Sequence, residues 1–553
     1  MRSIKESLKR LSAFLIIMLL PVALLAGCVG NEKGGGAGPD ATKGPIKGGS
    51  ITIGCDREPA ILNPFLPAGT SMATKMVTSN ILWGLLVVTP SLEYAPRLAE
   101  SVPTLENGLV TKNPFSVTYK IKKHAVWNDG TPITSWDVKF TWETIMDPKR
   151  DVADHSGYDK IDRIYTPDDK TVKIVFKEPY AAYKDLFSTT YCVLPKHVLE
   201  GRSYDEALRD ILPFASGPYR FKEWERGDHL TIVRNERFWE KAPYIEKVTF
   251  KFIPRVSKLL SSFADGDVDV VYPPANREVL DRLKEFRNKE VRDDPGLIWE
   301  HVAFNLSKPP LDDINVRMAI AHALDRERIA LEATGKSQVL DSIIMPTQER
   351  YYTPAWKRYR FSVEKAKSYL AKAGYHKGAG GVYEKDGKPL TLTISTTSGD
   401  RSRERAERVI KENLTSAGMR IEVKNTGKSN FFDSWVSGGG FEIATWAWLA
   451  SPEPQLGYLF AGDGIPPVGL NYYRYKDDAV TKMLSGVPST LDENKRALAY
   501  RKVQERIRDD VVVIPLYRHP QILAYDKKIN GIRNNISFEG PFWNLGEWWV
   551  SRE

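Results

Sequence analysis

The sequence predicts an α/β protein of more than one domain, and three observations carry that prediction. Between residues 390 and 448, strand-like and helix-like segments alternate as β-α-β-α-β, the pattern of a parallel sheet with helices packed on it. Earlier in the chain, period-two alternation of apolar residues recurs in separate runs, as in half-buried strands. The body after residue 47, about 505 of 553 residues, is well beyond the ~250–300 at which a single core stops growing.

The N-terminus has a different character. Lys5, Lys9 and Arg10 precede an apolar run over residues 11–26, broken only by Ser12 and Pro21. Its charge and length are those of a secretory signal peptide, and it is short for a membrane span, which needs ~20 apolar residues. The run ends in Leu25-Ala26-Gly27-Cys28, which resembles the lipobox of bacterial lipoproteins. That resemblance implies removal of residues 1–27 and acylation of Cys28. The alternative is a core or redox cysteine after an ordinary secretory signal. Residues 28–47 are glycine-rich and include Pro39 and Pro45. They predict a flexible tether reaching ~25 Å, with a globular body outside the cytoplasmic membrane.

Composition narrows the function. The chain is 42% hydrophobic and 27% charged, and no second apolar run is long enough to span a bilayer. A net charge of +9 could suggest nucleic acid. The cations are, however, dispersed among Asp and Glu, which argues against a nucleic-acid partner and fits attraction to an anionic envelope surface. With Cys28 used by lipid, Cys55 and Cys192 remain, and an oxidising compartment permits their pairing. A disulfide and free buried thiols both stay open.

Taken in order, Ile51 and Ile53 alternate in the first strand signal, followed by Phe115, Val117, Tyr119 and Ile121, then Val172, Ile174 and Phe176. Between the last two, "NDGTPITSWDVKFTWETIMD" predicts a turn and a helix capped by Thr134 or Ser135, with Trp136/Phe140 and Val138/Trp142 at i, i+4. "VRMAIAHALDRERIALEATGK" predicts one amphipathic helix stopped at Gly335, and "EKAKSYLAKAGY" another stopped at Gly374. The alternating segment contains strands at 390–395, 420–424 and 441–448. Its helices fall at about 402–417, with Gly418 behind, and at 430–436. Ligands of such sheets sit beyond the carboxyl ends of the strands, where Trp446, Trp448 and "LASPEP" lie.

Catalytic signatures are missing. The eight histidines show no HExxH or HxH pattern and no cysteine partners, so neither a metal nor a cofactor is predicted. There is no Gly-x-Ser-x-Gly elbow. "TGKS" at 334–337 and at 426–429 lacks the first glycine of a phosphate loop, since Ala330 and Glu422 stand there. The pairs Asp168/Asp169, Asp312/Asp313 and Asp477/Asp478 lie in turn-like, charged surroundings and predict solvated turns. The chain is therefore expected to bind rather than to catalyse. With 14 Trp, 24 Tyr and 21 Phe, a few aromatic side chains could line a cleft while most fill the core.

Six segments in order, among them "GGSITIGCDREPAILNPF", "TYKIKKHAVWNDGTPITSWDVKFTWE", "SGPYRFKEWERGDHLTIVRNERFW" and "FNLSKPPLDDINVRMAIAHALDRERI", resemble the family 5 extracellular solute-binding proteins of ABC importers, the oligopeptide- and dipeptide-binding group. "AKSYLAKAGY" and "IPLYRHPQILAYDKKINGI" complete the set, which covers roughly residues 46–545. The resemblance implies a two-lobed periplasmic-binding-protein-like fold of class II with an extra subdomain and two chain crossings at the hinge. Lobe one would comprise 46–298 and 518–553, with 83–206 as the extra subdomain, and lobe two 299–517. The crossings would fall near 299–306 and 513–521.

It also implies a lipid-anchored, monomeric receptor in the cell envelope, on the outer face of the cytoplasmic membrane or in the periplasm. Such a receptor delivers a peptide or other small solute to an ABC permease and its ATPase. In peptide-binding members, an aspartate in a Trp-x-Ala-Asp motif meets the ligand's ammonium group. Here Trp448-Leu449-Ala450-Ser451 puts a hydroxyl there, with Glu453 as a possible substitute. Asp400 and Arg401 stand where relatives meet the peptide carboxylate, although Arg401 could equally be a solvated charge at a helix start. Trp446, Trp448, Ser451, Glu453, Asp400, Arg401 and, at the crossings, Asn305 and Tyr517 are the candidate ligand contacts. Trp448 could also be core. The missing aspartate leaves an oligosaccharide or another small solute as the alternative ligand.

Overall fold

Ten strands hydrogen-bond into one sheet that serves both lobes. They are β1 (Ser50–Cys55), β2 (Tyr219–Glu225), β3 (His229–Arg234), β4 (Lys247–Phe252), β5 (Val270–Tyr272), β6 (Lys289–Phe304), β7 (Thr391–Ser395), β8 (Arg420–Val423), β9 (Ile443–Leu449) and β10 (Val513–Asp526). Their order is β8-β7-β9-β6-β10-β5-β1-β4-β3-β2. The computed structural model describes residues 45, 47–188, 191–202 and 208–551. The predicted signal segment, Cys28 and most of the tether lie outside them.

Each end of the sheet contains a parallel block. β7 runs parallel to β8 and β9, and β1 runs parallel to β4 and β5. The blocks are joined by β6 and β10, which are 16 and 14 residues long against an ordinary strand length of ~5–6. These two pair antiparallel with each other, and with β9 on one side and β5 on the other. The result is a mixed sheet, parallel where helices cross over and antiparallel at the two crossings.

The crossing strands slip register between Pro295 and Trp299. At this bulge the β10 backbone comes so close that a Cβ on Gly296 would lie 2.8 Å from the His519 carbonyl oxygen. Glycine is required there by backbone approach.

Three buried clusters fill the body. One combines β1–β5 residues with a four-stranded antiparallel sheet (Val110–Lys112, Phe115–Lys120, Thr171–Phe176 and Ile161–Asp168) and the helix Ser135–Met146. Thr134 caps that helix through a box with Asp137, whose carboxylate accepts the Thr134 N–H at 2.7 Å. A second cluster runs from Leu297 to Tyr517 and also takes in Val88 and Leu92. A smaller third one lies under the helices Val256–Asp265 and Arg277–Lys284. Tyr94 packs against both large clusters.

The single helix expected to end at Gly335 is two helices, Ile314–Ala323 and Arg326–Thr334. Leu324 is extended, and the Asp325 side chain accepts the Arg328 N–H at 3.0 Å. Asp325 thus acts as a cap in mid-run, a role short acidic side chains prefer to helix interiors. Arg326 is held in the turn by the carbonyls of Leu340 and Pro515 and by Asp341. The helix Arg401–Ser416 and the stop at Gly418 (φ +92°) agree with the sequence reading. Cys55 and Cys192 are free and buried, and burial pushes both thiols up to about 12.

Candidate functional site

The site begins at the crossing strands. Residues opposite one another in a sheet share a face, and Trp299 on β6 stands opposite Trp448 on β9 and Arg518 on β10. Trp448, Trp299 and Arg518 therefore form one row across three strands. Trp448 is half-buried, its ring stacked on Tyr472 at 5.9 Å. Its indole N–H donates to the Tyr473 hydroxyl at 2.9 Å, and that hydroxyl lies 2.9 Å from His301 Nε2. An indole can only donate, so Tyr473 accepts from Trp448. His301 is wholly buried, and desolvation lowers its pKa to about 3.

The opposite face of the crossing carries a charged triad. Glu300, with no solvent exposure, accepts from Arg403 Nε at 2.9 Å and lies 2.7 Å from His519 Nε2. Burial raises its carboxyl pKa, but the Arg403 charge and the hydrogen bonds from His519 and Arg403 outweigh burial and hold it below the usual carboxylate range. Arg403 also donates to Thr397 Oγ1 at 2.9 Å. Both crossing strands are thereby fixed to the N-terminal turn of the helix Arg401–Ser416.

Beyond β9 the chain turns sharply. Ser451 Oγ donates to the Glu453 carbonyl at 2.7 Å, and the Glu453 carboxylate accepts from Arg496 at 2.8 Å and from Tyr351 at 2.6 Å. Gln348 braces the turn through the Ser451 carbonyl at 2.8 Å. Next to it is a cavity of about 1200 Å³ between residues of the 83–206 segment, including Tyr94, Glu106 and Lys184, and residues after the first crossing, including Arg350, Glu453 and Arg496. Its rim is bridged by the Ala181 N–H donating to the Pro488 carbonyl at 2.7 Å and by Lys184 at 3.7 Å from Glu493. Asp185, half-buried next to Lys184 in the chain, accepts from Tyr94, and desolvation raises its carboxyl to about 6.

The candidate contacts separate on this geometry. Trp448, Ser451 and Glu453 lie together at the β9 end. Trp446 does not join them. It is wholly buried, stacked on Tyr473 at 5.7 Å and edge-on to His301, Phe441 and Trp448, so it is core. Asn305 is likewise structural, its amide donating to the Gly439 and Phe441 carbonyls at 3.0 Å. Asp400 caps its helix through the Ser402 and Arg403 N–H groups. Arg401 is exposed, and Arg403 is the arginine that turns inward. Tyr517 is buried beside Glu300, and burial followed by that charge raises its pKa well above the ordinary tyrosine value.

Sequence reasoning missed Arg403, Arg518 and Tyr351. For Arg403 a signal existed, because residues 403, 407, 410 and 414 share a helix stripe whose last three members are buried. Among the described residues, Glu225, Asp228 and His229 form one group able to converge on a metal. They lie at the β2–β3 hairpin turn, where His229 Nδ1 lies 2.6 Å from Asp228.

Residues 93–464 match the bacterial extracellular solute-binding proteins, family 5 (middle region). The chain belongs to that family. As a whole, this family 5 protein is 26% identical to the oligopeptide-binding protein AppA of Bacillus subtilis, over 100% of both chains. It is 24% identical to the periplasmic oligopeptide-binding protein OppA of Salmonella typhimurium, over 80% of this chain and 82% of that one. Among solved structures it resembles the periplasmic EDTA-binding protein EppA, with a TM-score of 0.81, 24% identity and coverage of 93% and 98%. Bacillus subtilis AppA in complex with a nonapeptide gives a TM-score of 0.71 at 25% identity, covering 92% and 100%.

Proposed function

We propose that this family 5 protein is the substrate-binding lipoprotein of an ABC importer. Anchored through Cys28 outside the cytoplasmic membrane, it captures short peptides in the interlobe cleft and hands them to the permease. The observation that carries the reading is the cavity of about 1200 Å³ between the 83–206 segment and the chain after the first crossing, beside the β9 end. That volume is larger than the ~300–1,000 Å³ of most small-molecule pockets and suits an extended ligand. The relatives AppA and OppA are oligopeptide-binding proteins, which supports a peptide. Trp448, stacked on Tyr472 and hydrogen-bonded to Tyr473 at the end of β9, offers an aromatic face close to the turn that borders this cavity. Capture is a hinge closure favoured by the ligand's higher affinity for the closed form, with β6 and β10 as the crossings. Hydrolysis forms no part of this role.

One observation favours a second reading, an oligosaccharide or another small solute. Ser451 replaces the ammonium-binding carboxylate, and Glu453 is engaged by Arg496 and Tyr351. Thermal-shift titration of the purified protein with tri- to nonapeptides and with neutral oligosaccharides tests the choice. Stabilisation by peptides alone supports the first reading, and stabilisation by sugars alone overturns it.

A further inference from the structure

The chain enters the body at one edge of the ten-stranded sheet, and that edge is cationic. Gly48 donates its N–H to the Tyr244 carbonyl at 2.8 Å, and the Gly49 carbonyl accepts from the Glu246 and Lys247 N–H groups at 3.0 and 3.2 Å. Gly48 and Gly49 hold φ values of +95° and +84°, a region that glycine enters without a Cβ penalty. The end of the tether is thereby pinned to the lip of a groove of about 570 Å³. Gly49 and Ser50 line it together with Arg220 and Lys222 of β2, Arg234 of β3 and Lys247 of β4.

Arg220, Val233, Lys247 and Ser50 stand in one row across β2, β3, β4 and β1, so their side chains share a face. Arg220, Lys222 and Lys247 are exposed. Among the described residues neither Arg220 nor Lys247 has an ion-pair partner, and Lys222 has Glu223 at 3.9 Å. Arg234 donates from one terminal nitrogen to the Tyr244 carbonyl at 3.0 Å, while its Nε is out of water without an acceptor. Four cations thus meet two carboxylates in the groove, Glu236 and Glu246. Two more cations border it: exposed Lys47 precedes Gly48, and Lys241 lies over the Tyr244 ring at 4.8 Å.

We propose that this cationic groove is a membrane-contact face, which lies against the phosphate headgroups of an anionic bilayer and orients the tethered receptor. The proposal rests on the reading of Cys28 as a lipid anchor. Residues 28–47 end at the groove, and a glycine-rich chain of that length reaches ~25 Å, so an anchor at Cys28 keeps this edge of the body next to the bilayer. The opposite sheet edge, β8, is nine strand spacings from β2, ~40 Å away. The charge is complementary, since exposed Lys and Arg are drawn to anionic headgroups within about a Debye length. Tethering also lets a weak attraction suffice, because it holds the face at a high effective concentration beside the surface. The groove shares no lining residue with the cavity of about 1200 Å³, so bilayer contact and ligand capture do not compete for a side chain.

The test uses the body from Lys47 onward, whose three buried clusters draw on residues 51–548. Co-sedimentation is measured with vesicles of equal parts phosphatidylglycerol and phosphatidylcholine and with vesicles of phosphatidylcholine alone, at about 10 mM salt, where the Debye length is ~30 Å. The expected result is binding to the anionic vesicles only, ~10–100-fold weaker in Arg220→Glu/Lys222→Glu/Lys247→Glu. Lys365→Glu/Lys367→Glu/Lys372→Glu makes the same charge change at exposed positions of the helix Val363–Lys372 and should bind as the unmodified body does. Arg220→Gln/Lys222→Gln/Lys247→Gln, which adds no repulsion, should fall between. Equal losses in the two Glu triples would mean that net charge alone acts and overturn the face, as would binding to both vesicles alike or to neither. The anchor is read separately, from the mass of the full chain recovered from bacterial membranes. An unacylated Cys28 removes the tether reading, while a loss confined to the Arg220, Lys222 and Lys247 variants still supports the contact face.

Discussion

Glu300 and His519 belong to different crossing strands, and their side chains meet at 2.7 Å where the chain passes between lobes. Arg403 closes the triad from the helix behind them at 2.9 Å. The hinge is thus held by a buried ion pair as well as by backbone ladders, and removing Arg403 leaves the buried Glu300 with His519 alone.

Arg403→Met, which strands the fully buried Glu300, is expected to lower unfolding free energy by ~3–5 kcal/mol. Glu300→Gln costs less, because Arg403 keeps its contacts to Thr397 and Asp400. Urea denaturation of both variants checks the order. The Glu300 carboxyl is depressed in the folded state. Its contribution is therefore present above the unfolded carboxylate pKa and disappears as pH falls through the lower folded value.

His301 gives a second pH window with the same sign. Its folded pKa is lowered to about 3 against an unfolded value of ~6.5. The unfolded chain takes up the proton first, so stability is whole above pH ~6.5 and declines below it, by ~2 kcal/mol at pH 5. His301→Asn retains a hydrogen-bonding partner for Tyr473 and should flatten the stability profile between pH 6.5 and 5. A profile unchanged by the substitution argues against a neutral buried imidazole.

Trp448→Ala is expected to weaken ligand binding by ~2 kcal/mol, the cost of a buried aromatic anchor, in a protein that still folds. Tyr473→Phe leaves the ring stacked on Trp446 and Phe460 but removes the hydroxyl joining Trp448 to His301. It should weaken binding less than Trp448→Ala. Calorimetry with a tight-binding peptide measures both, and unchanged affinity in Trp448→Ala removes this side chain from the site.

Ser451→Asp restores the carboxylate of peptide-binding relatives but loses a donor. Ser451 Oγ donates to the Glu453 carbonyl, which an ionised aspartate cannot do. The substitution is expected to cost ~1 kcal/mol of stability while keeping or raising affinity for peptides with a free N-terminus. Weaker peptide binding in a folded variant contradicts a cleft of the usual polarity.

Much of the fold was legible because caps and periods are local. Gly418 ends the helix Arg401–Ser416, and alternation marks β1, β7 and β9. Asp325 was misread because an apolar stripe continues across it, and only the cap contact reveals the break. The site was less legible. Trp446 and Trp448 share a strand face, and nothing in their spacing says that Tyr473, Phe441 and Phe431 enclose the first while the second stays half-buried on Tyr472.

The most direct measurement is mass spectrometry of the small molecule that co-purifies with the protein, released by denaturation. A capture site for short peptides predicts peptide fragments in a narrow range of lengths. Hexose or pentose oligomers in their place would contradict the peptide reading and make Ser451 the mark of a cleft built for sugars.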